Sequence, residues 1–321
     1  MSTLIEQAAL RLQQLRQAGI DVPDLDPPAA EAREPAPARH APARETQVQP
    51  TTAQSVSRRV EVDLDALANT GIVTPNAPRS ALADQFRVIK RPLIANALGK
   101  GAATLKHGNL IMVTSAIAGE GKTFTSVNLA MSIAAEMDHT VMLVDADVAR
   151  PSVLRVLGLP AGPGLLDVLE GKVELSGALL RTSVDKLTIL PSGTPHARAT
   201  ELLASDAMGA LLDDMATRYP DRIIIFDSPP LLLTTESRVL ATHMGQIVVV
   251  VHAGRTLQSD VQHALSTIES CPVRMMLLNR ARADSAGAYS YGYGYGAYGY
   301  GYGHGRGDAE ALAPEASAKP A

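Results

Sequence analysis

The chain has 321 residues, a formal net charge of −4 and a single cysteine, Cys271. The length allows one large domain or two small ones, and the acidic balance gives no basic footprint for nucleic acid. A lone thiol excludes an internal disulfide and is typical of a reducing compartment. No apolar run approaches the roughly 20 residues of a membrane-spanning helix, and no signal-peptide pattern opens the sequence.

The first part of the chain predicts two segments outside the main domain. Residues 1–21 carry apolar side chains at near-helical spacing, which indicates an amphipathic helix that closes at Gly19. This helix is either a detached docking element or a helix packed on its own domain. Residues 22–58 are rich in Pro, Ala, Glu, Gln and Arg, a composition typical of a disordered linker.

The sequence pattern predicts that residues 59–280 form the folded domain. A helix is expected from Ser80 to about Arg91, with a break at Pro92 after which a helix to Leu98 is compatible with the pattern. Beyond it, near-continuous apolar strands alternate with helical segments, a pattern that predicts an α/β fold with a mainly parallel sheet and helices on both faces. The predicted strands are 110–114, 140–144, 187–190, 222–226, 246–251 and 273–278.

The first of these strands leads into a glycine-containing loop and then a helix, which is the order that a phosphate-binding P-loop requires. Gly119 and Gly121 allow the backbone to approach phosphate oxygens closely. Lys122 is expected to reach the β- and γ-phosphates of ATP, and the Thr123 hydroxyl to ligate Mg²⁺. The predicted nucleotide-binding residues are Ala118, Gly119, Glu120, Gly121, Lys122, Thr123, Phe124 and, by its position at the end of the last strand, Asn279.

Carboxylates follow two other predicted strands. Asp145 and Asp147 come at the end of an apolar strand, where ligands approach a parallel sheet, and two adjacent carboxylates favour a cation between them. Asp227 ends the run Ile223-Ile224-Ile225-Phe226, which has the Walker B form. The predicted catalytic residues are therefore Lys122, Asp145, Asp147 and Asp227, and the predicted metal ligands are Thr123, Asp145 and Asp227.

A change of composition marks residues 281–321 as a flexible tail. Tyrosine alternates with glycine there, and alternating glycine leaves the backbone unrestrained. Each phenol is a candidate phosphoryl acceptor. The predicted phosphorylation sites are Tyr289, Tyr291, Tyr293, Tyr295, Tyr298, Tyr300 and Tyr302.

Together these motifs resemble those of the bacterial tyrosine kinase (BY-kinase) family, in particular the autokinases of exopolysaccharide and exosortase gene clusters. The loop that ends at Lys122-Thr123 is similar to the family's Walker A motif, Asp145-Ala146-Asp147 to its second Walker-type motif, and Asp227-Ser228-Pro229-Pro230 to its Walker B motif. The tyrosine-rich tail is similar to its phosphorylation cluster.

The resemblance implies a cytoplasmic enzyme, held at the inner face of the membrane by a partner, that transfers the γ-phosphoryl of ATP to tail tyrosines of a neighbouring subunit. It also implies Mg²⁺, a ring-like homo-oligomer and a membrane polysaccharide co-polymerase as activator. The family's oligomerisation motif is matched approximately by Asp84, Arg87 and Lys90.

Two other functions are compatible with parts of the sequence. A MinD- or ParA-like switch ATPase would explain the phosphate loop and the carboxylates but not the tyrosines. Those ATPases carry a lysine early in the loop, and this sequence has Ile117 at about that position. The absence of that lysine favours a kinase. A non-catalytic scaffold with an adhesive Gly-Tyr tail is the second alternative, and the intact Lys122, Thr123 and three aspartates argue against it.

Overall fold

The computed structural model describes residues 57–75, 79–101, 104–218 and 221–281. The predicted N-terminal helix, nearly all of the predicted linker and the tail tyrosines lie outside these ranges. The strands are β1 (Arg58–Val60), β2 (Leu110–Ser115), β3 (Thr140–Asp145), β4 (Leu180–Thr182), β5 (Leu187–Leu190), β6 (Arg222–Asp227), β7 (Gln246–His252) and β8 (Val273–Asn279). The helices are α1 (Leu64–Asn69), α2 (Ala81–Ala97), α3 (Lys122–Ala134), α4 (Val153–Val156), α5 (Leu165–Leu169), α6 (Leu175–Ala178), α7 (Ala199–Leu203), α8 (Asp206–Arg218), α9 (Glu236–Ala241) and α10 (Gln258–Ser266).

The strands form one sheet in the order β1-β4-β5-β3-β6-β2-β7-β8. All neighbours are parallel except β4 and β5, which are antiparallel. The strand that precedes the glycine loop, β2, lies between β6 and β7, and Val113 of β2 is in register with Asp227 of β6. Asp227 is in turn level with Asp145 of β3. The predicted α/β fold with a mainly parallel sheet is therefore confirmed.

The central strands are apolar on both sides because each side of the sheet is covered. β2, β3 and β6 are buried almost from end to end, as expected for strands of a doubly covered parallel sheet. One apolar core packs around Met112, Phe226 and Val249, and the other around Ile111, Leu143 and Ile225. Successive residues of one strand point to opposite faces, so the same strands supply both cores.

The segment 57–75 adds an edge to this sheet that the sequence pattern did not reveal. β1 pairs in parallel with β4, and the Val62 backbone N–H donates to Ser183 Oγ at 3.0 Å. The segment then reaches helix α3, where Asn128 Oδ1 accepts from the Val73 backbone N–H at 2.7 Å. Neither β1 nor β4 was predicted from the sequence. Each has only three residues, which is too short for a period-two pattern to indicate a strand.

Helix α2 corrects the predicted break at Pro92. The helix begins after its N-cap Ser80, whose side chain accepts from the Ala83 backbone N–H, and continues through Pro92 to Ala97. Proline in a helix interior removes one hydrogen bond and costs about 3 kcal/mol. Burial of Phe86 before Pro92 and Leu93 after it holds both halves against the core, and this tertiary packing overrides the local preference.

The three residues predicted to mediate oligomerisation lie in different environments on α2. Asp84 and Arg87 are exposed and form an ion pair with each other. Lys90 is buried; its Nζ donates to the Ser132 backbone carbonyl and lies 2.7 Å from a Glu136 carboxylate oxygen. Lys90 therefore ties α2 to the end of α3 within one chain, which leaves Asp84 and Arg87 as the members of the motif with free surface.

Candidate nucleotide and phosphoryl-transfer site

The loop between β2 and α3 has the backbone geometry of a phosphate cradle. Gly119 and Gly121 have φ angles of 83° and 97°, in the left-handed region that favours glycine. A Cβ at Gly121 would collide with the Asn279 side chain, so glycine is needed there for space as well as for conformation. Lys122 is the first residue of α3, so its side chain and the open N–H groups of the first helical turn meet at the loop.

Glu120 supports the loop with its side chain, a role that sequence reasoning missed. This carboxylate is buried, and one of its oxygens accepts from the Ile117 backbone N–H at 2.8 Å. The other accepts from the His252 backbone N–H at 3.3 Å and from the Thr256 hydroxyl. Glu120 thereby joins the loop to the segment that follows β7, the strand beside β2.

Thr123, Ser126 and Asp227 form a hydrogen-bonded group beneath the loop. The Thr123 hydroxyl donates to Asp227 Oδ2 at 2.6 Å, and the Ser126 hydroxyl lies 3.0 Å from Asp227 Oδ1. Thr123 and Ser126 are one helical turn apart on α3, so both face the same strand end. The Walker A hydroxyl and the Walker B carboxylate, both predicted as metal ligands, are thus hydrogen-bonded to each other, and Ser126 is an additional partner of Asp227.

The two carboxylate oxygens of Asp145 differ in their hydrogen bonding. Its Oδ2 accepts from the backbone N–H groups of Ser152 and Val153, each at 2.9 Å, and so fixes the start of helix α4. Its Oδ1 is buried without a hydrogen-bond partner. Ser152 also places its hydroxyl 2.8 Å from the Thr123 hydroxyl, which connects the β3 and β2 strand ends.

The electrostatics of these carboxylates fit a bound cation. Burial, together with the nearby Asp145 charge, raises the pKa of Asp227 to about 7, against the opposing hydrogen bonds from the Thr123 and Ser126 hydroxyls. Burial likewise raises the pKa of Asp145 to about 6, although its backbone hydrogen bonds oppose the shift. The raised pKa values mean that the protein alone disfavours the ionised forms of Asp145 and Asp227, and Asp145 also has an oxygen without a partner. A bound cation would stabilise both carboxylates in their ionised forms.

The described residues contain no group of three or more His, Cys, Asp or Glu side chains placed to hold a metal ion. That finding is compatible with Mg²⁺, which usually takes one or two carboxylates together with water and substrate phosphates. Thr123, Asp145 and Asp227 fit such an incomplete site. Its remaining positions would come from the nucleotide and water.

Asp147 differs from the other two aspartates in being half-exposed. It lies in the loop after β3, where its Oδ1 accepts from the Arg150 backbone N–H at 3.1 Å. Burial raises its pKa, the positive charges of Lys122 and Arg150 lower it, and the Glu236 charge raises it. Asp147 is therefore close enough to Lys122 to feel its charge while remaining open to an incoming group.

The remaining predicted nucleotide contacts lie along the rim of the loop. Ala118 is exposed on the loop and Phe124 is half-buried in the first turn of α3. Asn279 Nδ2 donates to the Glu120 backbone carbonyl at 2.8 Å, and its Oδ1 accepts from the Arg280 backbone N–H. Asn279 thus supports the loop directly, and any contact that it makes with a base would be an additional role.

Arg255 is a further residue at this rim that sequence reasoning missed. It is exposed on the segment after β7, and a Cβ built on Gly119 would lie 3.9 Å from its guanidinium Nη1. The register of the sheet is the signal that could have found it, because β7 is the direct neighbour of β2. Loops that follow neighbouring parallel strands meet at the same edge.

Described residues at the carboxyl ends of β2, β3 and β6 therefore define a P-loop nucleotide-binding domain. A family model described as an AAA domain matches residues 108–275, just over half of the chain. The tyrosine-protein kinase ptk of Acinetobacter johnsonii is 32% identical over 188 residues, which cover 58% of this chain and 25% of that protein. The tyrosine-protein kinase YwqD of Bacillus subtilis is 28% identical over 205 residues, covering 64% and 83% respectively.

Solved structures agree with these relatives. The kinase domain of VpsO is 28% identical with a TM-score of 0.50, and the match covers 63% of this chain and all of that one. The kinase domain of the Escherichia coli tyrosine kinase ETK is 25% identical with a TM-score of 0.50, covering 72% and 99%. The chain therefore belongs to the AAA-domain family, and the relatives and solved structures that it resembles here are bacterial tyrosine-protein kinases.

Membership of this family implies nucleotide binding with a divalent metal. The chain spans about a quarter of the length of the Acinetobacter kinase and most of the length of the Bacillus kinase. Within the described ranges, no helix has the length and apolar character needed to cross a membrane.

Proposed function

We propose that this chain is an ATP- and Mg²⁺-dependent protein-tyrosine autokinase that phosphorylates the tail tyrosines of a neighbouring subunit and thereby regulates exopolysaccharide synthesis or export. One observation carries the proposal: a phosphate loop, a Walker B carboxylate and a second carboxylate with an unpaired oxygen converge at the carboxyl ends of three adjacent strands. The same sequence supplies seven candidate acceptors, from Tyr289 to Tyr302.

In the proposed reaction, the tyrosine hydroxyl oxygen bonds to the γ-phosphorus as the bond to the bridging oxygen of ADP breaks. The phenol proton needs an acceptor because its ordinary pKa is about 10. Asp147 is the better candidate, since Asp145 Oδ2 already holds the start of α4 while Asp147 is half-exposed and near Lys122. Lys122 and the α3 N-terminus would neutralise charge on the transferring phosphoryl, and the bound Mg²⁺ would supply further neutralisation.

The proposed setting is cytoplasmic, at the inner face of the membrane. A membrane polysaccharide co-polymerase would be the activating partner, and the chain would assemble with copies of itself through the exposed face of α2 that carries Asp84 and Arg87. Support comes from relatives whose names place them among tyrosine-protein kinases such as wzc of Salmonella typhi. The residues 1–21 and the linker 22–58 are proposed as a tether, and residues 59–280 as the catalytic domain.

The test is the intact mass of the full chain after incubation with ATP and Mg²⁺. We expect successive additions of phosphate, which should be lost in Lys122→Met and in a chain that ends at Gly287. Lys172→Met is the matched control, because Lys172 is an exposed lysine paired with Glu170. ATP turnover without phosphate on the chain would instead support a switch ATPase, and inactivity even with the cytoplasmic tail of a co-polymerase would support a scaffold.

A further inference from the structure

An apolar groove of about 770 Å³ runs between helix α2 and the edge strand β8. Its walls include Val88 on α2 and Met276 and Leu278 on β8, which are 65%, 65% and 64% exposed. Among the described residues that line it, Arg280, at one end, is the only charged one. Large apolar side chains grouped in this way usually mark a surface that is covered by something else.

The strand that forms one wall of the groove is an open edge. Within the described residues β8 pairs only with β7, and its side chains alternate between half-buried and exposed along all seven positions. The half-buried side chains, such as Met275 and Leu277, contact the core on the face that carries α2. An unpaired, apolar edge strand is a template for pairing with another strand.

The chain itself continues from this edge. The described residues end at Ala281, which lines the groove, and seven residues separate it from Tyr289. Hairpin loops usually need two to five residues, so this length is enough for the chain to reverse direction and run back beside β8. Residues 289–295 then match the seven residues of Val273–Asn279 in length.

The spacing of the first four tail tyrosines fits that path. Tyr289, Tyr291, Tyr293 and Tyr295 alternate with Ser or Gly, so an extended backbone would place all four rings on one face. Aromatic rings offer large apolar area, and a tyrosine hydroxyl can remain at the wet rim of a groove. The intervening small residues would leave the opposite face free of bulk.

We propose that the unphosphorylated tail of the same chain docks along β8 as an additional antiparallel strand, with tyrosine rings of residues 289–295 in the groove beside Val88. The docked tail covers the open edge of β8 and, on the face that carries α2, the exposed Val88. The tail follows β8 directly in the sequence, so it has a high local concentration at this groove.

Docking of this kind would respond to phosphorylation, and this consequence rests on the proposed kinase function. A phosphotyrosine carries about −1.5 to −2 charge at neutral pH, and a hydrophobic contact disfavours it. Only Arg280 is present among the lining residues to compensate. The end of the groove that Arg280 borders also reaches Phe124 and Asn279 at the phosphate loop, so occupancy of the groove is adjacent to the site that would modify the tail.

Hydrogen–deuterium exchange of the full chain tests the docking without requiring kinase activity. The Lys122→Met background keeps the tail unphosphorylated, and the reference is the same variant ending at Gly287. We expect amides of Val273–Asn279 to exchange at least about tenfold more slowly in the full chain. Val88→Asp should remove that protection, whereas Met137→Asp, at an exposed methionine that does not line the groove, should leave it intact.

Equal exchange in the full and shortened chains would overturn the proposal. Protection that fades on hundredfold dilution would also overturn it, because the occupant would then be a second copy. Leu82→Asp, at a half-buried residue of α2 that lines the groove, provides a second disruption, and matching melting temperatures of the variants would show that lost protection is not unfolding. Because all of these chains lack Lys122, the result is independent of whether the full chain proves to be a tyrosine kinase.

Discussion

At the amino end of β7, the buried side chain of Gln246 is fully paired with neutral partners. Gln246 Nε2 donates to the backbone carbonyls of Leu93 and Gly108 at 3.0 and 2.6 Å, and its Oε1 accepts from Asn96 at 2.9 Å. At the carboxyl ends, Asp227 and Asp145 are equally buried but carry raised pKa values, and Asp145 Oδ1 has no partner.

This difference teaches which buried polar residues are structural and which are poised for chemistry. A satisfied amide stabilises the fold and needs nothing more. A buried carboxylate without a full set of donors is unfavourable in the empty protein, and a ligand can relieve that cost. The two ends of one sheet should therefore respond in opposite ways to mutation.

The largest expected effect is on catalysis. Asp227→Asn should lower tyrosine phosphorylation at least about 100-fold, because it removes a charge that positions the metal and the phosphates. The same change should raise the melting temperature of the nucleotide-free protein by several degrees at pH 8, since it removes a buried anion. Intact mass and thermal denaturation measure the two effects.

The sign of the pH dependence follows from the raised pKa of Asp227. Its pKa is about 7 in the folded protein against an ordinary 3.8, so the folded state holds the proton more tightly. Stability contributed by this group is full below about pH 4 and is lost as the pH rises through 7. The advantage of Asp227→Asn should therefore shrink at pH 5, and an advantage that is the same at both pH values would contradict the assigned cause.

The opposite end of the sheet should respond in stability rather than in chemistry. Gln246→Leu would leave the Leu93 and Gly108 carbonyls and the Asn96 amide without their partner, and we expect a loss of about 2–3 kcal/mol in the free energy of unfolding. Phosphorylation per folded molecule should stay within about twofold of the unsubstituted chain. Gln258→Leu, on the surface of α10, is the matched control and should change neither quantity.

A smaller effect is expected for the support beneath the phosphate loop. Glu120→Gln keeps the size of the side chain, but its amide nitrogen cannot accept from Ile117, Thr256 or His252. We expect nucleotide affinity to fall about 5- to 10-fold, measured by calorimetric titration, through a less ordered loop. Glu174→Gln, at an exposed position, should not alter affinity; an unchanged affinity in Glu120→Gln would show that the loop holds its form without the carboxylate.

The smallest effect is expected at the exposed rim. Arg255→Ala should weaken nucleotide binding only about threefold at low salt, and the difference should fade at high salt because exposed charges are screened. Arg155→Ala, on helix α4 and equally exposed, is the control. A loss greater than tenfold that persists in salt would instead place Arg255 in direct contact with the bound phosphates.

Six of the strands and the sheet class could be predicted from sequence because their apolar runs are continuous and their ends carry turn signals. The strands β1 and β4 could not, since three residues are too few to show a period and both depend on pairing partners far away in the sequence. The rule that proline ends a helix failed at Pro92 because Phe86 and Leu93, on either side of it, are held by tertiary contacts.

In the candidate site, too, residues in linear motifs could be predicted from the sequence, and contacts between distant parts of the chain could not. Lys122, Thr123 and Asp227 could be named because they belong to a linear motif or end a strand in a recognisable way. Glu120 was assigned to the loop, but its buried carboxylate could not be foreseen, because its partners Thr256 and His252 lie more than 130 residues away. Ser126 did have a signal, since it lies one helical turn after Thr123 and so shares its face.

The pairing of β1 with β4 has a consequence for how the chain folds. The segment that contains β1 is synthesised early, yet its partners, Leu180–Thr182 and Ser183, lie about 120 residues further along the chain. Contacts of such long sequence separation form slowly because a large loop must close first. During synthesis, residues 57–62 must therefore wait without this partner until β4 has emerged.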